Sequence, residues 1–77
     1  MQHVYEVRPL RDRQGAALIS DALPFGRLWF GGPNPINNAV DFAKFYGRAR
    51  DIIIRVFDSQ GNTVNEHSQK AAFRRES

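Results

Sequence analysis

Two periodicities divide the chain. The first is the two-residue alternation of strands. Asp51-Ile52-Ile53-Ile54-Arg55-Val56-Phe57-Asp58 carries a β-branched run followed by alternation, which predicts the best-buried strand of a small sheet. Ile52, Ile54 and Val56 share one face; Ile53, Arg55 and Phe57 share the other. Asp58-Ser59-Gln60-Gly61-Asn62 predicts a hairpin turn with Gly61 at a positive-φ position. A polar return strand, placed at an edge, runs from Thr63 to about His67. His3 to Pro9 also alternates, with His3, Tyr5 and Val7 on one face and Val4, Glu6 and Arg8 on the other. Pro9 has no N–H for a ladder, so it ends the strand or marks an edge. The polar run Arg11-Asp12-Arg13-Gln14-Gly15 predicts a hairpin loop, followed by a second strand from about Ala16 to Ser20. A helical turn is the other reading of Ala16-Ala17-Leu18-Ile19.

The second periodicity is helical. Gly31-Gly32-Pro33-Asn34-Pro35 punctuates the chain, with Asn34 suited to the N-cap and Pro35 to the first helical position. A helix then follows from Ile36 to Tyr46, with Ile36, Ala39, Val40 and Ala43 forming one apolar stripe. Gly47 suits a left-handed residue beyond the helix, and Arg48 and Arg50 suit the negative end of its dipole. Phe45 falls on the side away from the stripe at about 100° per residue. Between the periodic segments, Ser20 to Gly26 is expected to be an ordered loop whose Leu23 and Phe25 plug the core. Arg27-Leu28-Trp29-Phe30 is expected as a brief strand or an extended run against the sheet edge, with Trp29 largely buried.

Two hairpins flanking one helix give a two-layer α+β fold, ββαββ, with a small antiparallel sheet covered on one face. The domain is expected over residues 1–68, with a flexible tail over 69–77 to which Phe73 adds one docking side chain. A single helix leaves the other sheet face, with Ile53 and Phe57, partly open. That face and Phe45 are two separate hints of self-association.

Composition narrows the chemistry. The 77 residues are 42% hydrophobic and 25% charged, which fits one folded domain rather than a disordered chain. The absence of cysteine removes disulfides and thiolate metal sites and fits a reducing compartment. The start, Met1-Gln2-His3-Val4-Tyr5-Glu6, lacks the basic and apolar regions of a signal peptide, and no run approaches the ~20 apolar residues of a membrane span. A cytoplasmic location is the expectation. The net charge is +3, and only Lys44 and Lys70 of the cations are lysine. This mild basic bias raises nucleic acid as a partner.

No enzyme site is expected. A nucleophile–base pair needs Ser or Thr beside His, and His3 and His67 lie in separate predicted strands. Two histidines without cysteine or a nearby pair of carboxylates also fall short of a metal site. Asp58 to Asn62 lacks the length and closing glutamate of a calcium loop. Gly31-Gly32-Pro33-Asn34 lacks the Gly-Lys-Ser/Thr ending of a phosphate loop. No cofactor is expected. Nucleic-acid binding has two arginine clusters in its favour, Arg8, Arg11 and Arg13 around the first hairpin loop and Arg48, Arg50 and Arg55 near the helix end. Trp29, Phe30 and Phe45 offer stacking surfaces wherever exposed. Glu6, Asp12, Asp51 and Asp58 dilute both clusters.

Three stretches carry a resemblance: Ile19-Ser20-Asp21-Ala22-Leu23-Pro24-Phe25-Gly26-Arg27-Leu28-Trp29-Phe30, Asn38-Ala39-Val40 with Phe42-Ala43-Lys44-Phe45-Tyr46, and Ile54-Arg55-Val56-Phe57-Asp58. From His3 to about His67 the chain resembles a family of short stand-alone bacterial proteins of unknown function, most specifically in Leu-Pro-Phe-Gly-Arg-Leu-Trp. More distantly it is similar to other short bacterial domains of unknown function with a hairpin–helix–hairpin plan. The resemblance implies a bacterial source, one small domain and no assigned activity, and it transfers no site residue. The expected function is a non-catalytic protein-interaction or homo-oligomerising module with Phe45, Ile53 and Phe57 on its surface. The alternative is weak nucleic-acid binding through Arg8, Arg11, Arg13, Arg48, Arg50 and Arg55.

Overall fold

The structure, a computed structural model, describes residues 2–11 and 14–71. Among these residues the elements are β1 (His3–Pro9), β2 (Ala16–Ile19), β3 (Arg27–Phe30), α1 (Pro35–Tyr46), β4 (Ile52–Phe57) and β5 (Thr63–Gln69). The strands form one sheet in the order β3-β2-β1-β4-β5, and α1 packs on one face. The two-layer α+β architecture is as expected. The sheet is mixed rather than antiparallel, because β1 and β4 run parallel, with Tyr5 opposite Ile54 and Val7 opposite Val56.

The extra strand explains the parallel pair. β1, β2 and β3 meander antiparallel, so the chain leaves β3 at the end where β1 finished. The helix carries it back, and β4 starts alongside the start of β1. Parallel neighbours need a long crossover of this kind. With only two strands before the helix, β4 would have opposed β1.

The core lies between α1 and the covered sheet face. Tyr5, Val7, Leu18, Ile52 and Ile54 are fully buried there, joined by Ala39, Val40 and Ala43 from the predicted helix stripe. Small residues on the stripe let the helix approach closely. Each large side chain removed from water contributes roughly 1.5–3 kcal/mol. Phe42 flanks the stripe, its ring centroid 5.5 Å from those of both Phe30 and Tyr46. Leu23 plugs the core from the β2–β3 loop as expected.

Several local expectations are corrected. Phe25 is 91% exposed rather than buried. It sits at the tip of a turn closed by the bond from the Gly26 N–H to the Leu23 carbonyl, so Leu23 turns inward and Phe25 outward. Trp29 is 64% exposed. Leu28 and Phe30 face the helix, and strict alternation on edge strand β3 directs Trp29 to the uncovered side.

Asn34 makes no side-chain cap; its carbonyl accepts from the Asn38 N–H at 2.9 Å. Gly47 has φ −93° rather than a left-handed value. A Cβ there would lie 3.0 Å from two side-chain atoms of Ile52 and 3.2 Å from the Ala43 carbonyl oxygen, so a larger residue needs Ile52 to give by a few tenths of an ångström. Gly61 does take the expected positive φ, 86°. β5 runs to Gln69, beyond the expected end. The Gln69 amide donates to the Lys44 carbonyl and the Ala71 N–H to the Asp51 carboxylate, both at 2.9 Å. Gln69 and Ala71, at the start of the expected tail, are thus hydrogen-bonded to the domain. The remainder of the tail, including Phe73, lies outside the described residues, as do Asp12 and Arg13.

Candidate interaction surface

One helix on a five-stranded sheet leaves the second face without a layer. Its side chains are those that alternation places opposite the core, and register sorts them into three rows. One row reads Glu66, Arg55, Glu6, Ile19, Arg27 from β5 to β3. The next reads Thr63, Phe57, Arg8, Ala17, Trp29, and the third pairs Ser68, Ile53 and Val4.

The first row alternates in charge over Glu66, Arg55 and Glu6, and after the apolar Ile19 ends on Arg27. Arg55 Nε donates to Glu66 at 2.8 Å, and Arg8 Nε donates to Glu6 at 3.1 Å across to the second row. All four side chains remain substantially exposed, so each pair contributes at most about 1 kcal/mol to stability. In the second row the Arg8 guanidinium lies 4.0 Å from the Phe57 ring centroid, and that of Arg27 lies 5.8 Å from the Trp29 ring. Both contacts fall within cation–π range. Ala17 lies buried between Arg8 and Trp29. The face thus interleaves apolar side chains with paired charges of both signs.

The predicted surface residues divide. Ile53 and Phe57 are half-buried on this uncovered face. Phe45 is 63% exposed on the outer side of α1, so the two hints of association lie on opposite sides of the molecule. The arginines regroup as well. Arg8 and Arg55, expected in different clusters, share the uncovered face. Arg11 is exposed at the hairpin end, and Arg13 lies outside the described residues. Arg48 donates to the Phe45 carbonyl at 2.7 Å and covers the Phe45 ring at 4.2 Å, neutralising the helix end. Arg27, Val4 and Ile19 were missed as surface residues. The two-residue parity of each strand is the signal that finds them: Arg27 and Trp29 against Leu28 and Phe30, Val4 against Tyr5, and Ile19 against Leu18.

On the covered side, α1 lies over β1 to β4 and meets β5 through the Gln69–Lys44 bond near its own end. The groove beside it, about 530 Å³, is lined by Val40, Asp41, Lys44, Val64, Asn65 and His67, among others. β4 separates the strands of His3 and His67. Among the described residues no group of three or more histidines and carboxylates is close enough for a metal ion, and no helix is long and apolar enough to cross a membrane. Asp58 organises the β4–β5 turn. One carboxylate oxygen accepts from the N–H groups of Gln60 and Asn62, both at 2.9 Å. These bonds, Asn62 first, hold its carboxyl below the usual carboxylate range.

No protein-family model, no curated protein and no solved structure matches this chain.

Proposed function

We propose that this protein is a non-catalytic association module that pairs with a second copy of itself through the uncovered sheet face. The observation that carries the reading is the row Glu66, Arg55, Glu6, Ile19, Arg27. A two-fold interface sets one patch against itself, and this row turned end for end places Glu66 opposite Arg27 at both ends, with Glu6, flanked by Arg55, opposite its own copy at the centre. The exposed Trp29 supplies an aromatic anchor, and the same two-fold sets it over the small Thr63 end of its row in the second copy. Strand spacing and rise make the face roughly 24 by 17 Å. That is small beside the ~800 Å² per partner of a standard interface, so the dimer is weak and concentration-dependent.

Sedimentation of the protein across a concentration series tests this. A monomer–dimer equilibrium that is abolished by Trp29→Glu supports the reading. A monomer at every concentration overturns it.

Weak nucleic-acid binding is the second reading, favoured by the two arginine–aromatic pairs on the same face. Bases stack on such platforms. A complex with mixed-sequence single strands that weakens steeply between ~50 and ~200 mM salt supports it; no complex at low salt removes it. A bacterial, cytoplasmic setting belongs to the same proposal. It rests on the sequence resemblance and the cysteine-free composition.

A further inference from the structure

We infer that the cavity where β1 and β4 begin beside the end of α1 is a binding site for a small organic carboxylate. It lies on the covered side of the sheet and does not depend on the association surface. The cavity is about 330 Å³, and His3, Tyr5, Tyr46 and Arg50 line it together with the small side chains of Ala22 and Ala49.

Three observations converge. Tyr5 is 1% exposed, yet it forms part of the cavity wall. Among the described residues its hydroxyl has no hydrogen-bonding partner, and it is not sealed off from the cavity. The hydroxyl therefore stands at the cavity wall as a donor that a ligand oxygen can accept from. Burial raises the Tyr5 phenol above its ordinary value, Tyr46 adds to this, and Arg50 opposes it. The group therefore keeps its proton at neutral pH and donates.

Arg50 supplies the charge. No ion pair engages it among the described residues, and no carboxylate lines the cavity. The adjacent Asp51 is occupied by the Ala71 N–H. One guanidinium and one phenol match the two oxygens and single charge of a carboxylate, since arginine forks engage such planar anions in bidentate fashion. A phosphate dianion calls for more positive charge than this cavity holds. The volume is at the lower limit for ligand pockets, and the Tyr46 ring with the two alanines gives an apolar wall. The Tyr46 hydroxyl is turned to the Ala22 carbonyl at 3.4 Å, which holds that wall in place.

Amide chemical shifts of the whole protein, followed during titration with benzoate, acetate and inorganic phosphate at matched ionic strength, test the assignment. Saturable shifts with benzoate at His3, Tyr5 and residues 46–50 are expected. Tyr5→Phe and Arg50→Gln should each weaken binding about tenfold or more. Arg50→Gln should leave the melting temperature and the oligomeric state unchanged, so it decides the matter even if Tyr5→Phe perturbs folding. Three results overturn the site: no saturable shift with millimolar benzoate, equal affinity for phosphate, or unchanged affinity in Arg50→Gln.

Discussion

Leu23 and Phe25 stand two residues apart and meet opposite fates, because a turn bond across Leu23 to Gly26 reverses the chain between them. Leu23→Ala should therefore cost about 2–4 kcal/mol by emptying a core site. For a domain this size that lowers the melting temperature by roughly 10 °C or more. Phe25→Ala should change stability by no more than about 0.5 kcal/mol. Thermal denaturation of the two variants side by side checks both statements. Asp58 makes a pH prediction of its own. Its carboxyl is held low by the turn N–H groups, so its charged form stabilises the hairpin above the ordinary carboxylate pKa. That contribution is lost as pH falls through the depressed folded value. The stability margin of the protein over Asp58→Asn should be full at neutral pH and narrow below about pH 4, as read by denaturation across a pH series.

At the scale of elements, the junction of α1 and β4 is a close fit. The Gly47 position is closed by Ile52 and by the Ala43 carbonyl. Gly47→Ala should destabilise by about 1–3 kcal/mol through overpacking. Part of this loss should return in the double variant Gly47→Ala with Ile52→Val, which vacates the contact. A denaturant series on the two single variants and the pair measures the coupling; strict additivity would show that backbone preference, rather than packing, selects glycine. Strand β3 has consequences out of proportion to its length. Its presence reverses the direction in which the helix returns, and with it the orientation of β4 against β1.

At the scale of the whole molecule, a helix over one face leaves the sheet with two different surfaces. The covered face is folded into the core, so its substitutions act on stability. The uncovered face carries exposed and half-buried charges and rings, so its substitutions should act on association. Arg55→Glu should change unfolding free energy by no more than about 1 kcal/mol. The same change places like charges along the Glu66–Arg55–Glu6 row, and the dimer proposed above should disappear from sedimentation profiles. If association survives the reversal, the charge row does not form the contact.

Much of this fold is legible in the chain itself. Alternation alone separates Ile52, Ile54 and Val56 from Ile53, Arg55 and Phe57, since a pleated strand sends successive side chains to opposite faces. The helix stripe and the Gly61 turn follow from equally local rules. Alternation does not say which strands become neighbours. Register across β1 and β4 brought Arg8 and Arg55 onto one face, and convergence of β1 with the helix end placed Tyr5 beside Tyr46 and Arg50. Those adjacencies depend on contacts between residues far apart in sequence, whose free energy is shared among many side chains and is carried by no single motif. Local pattern therefore determined the elements and their inner faces, while tertiary packing decided the parallel pair, the exposure of Trp29 and Phe25, and which charges meet.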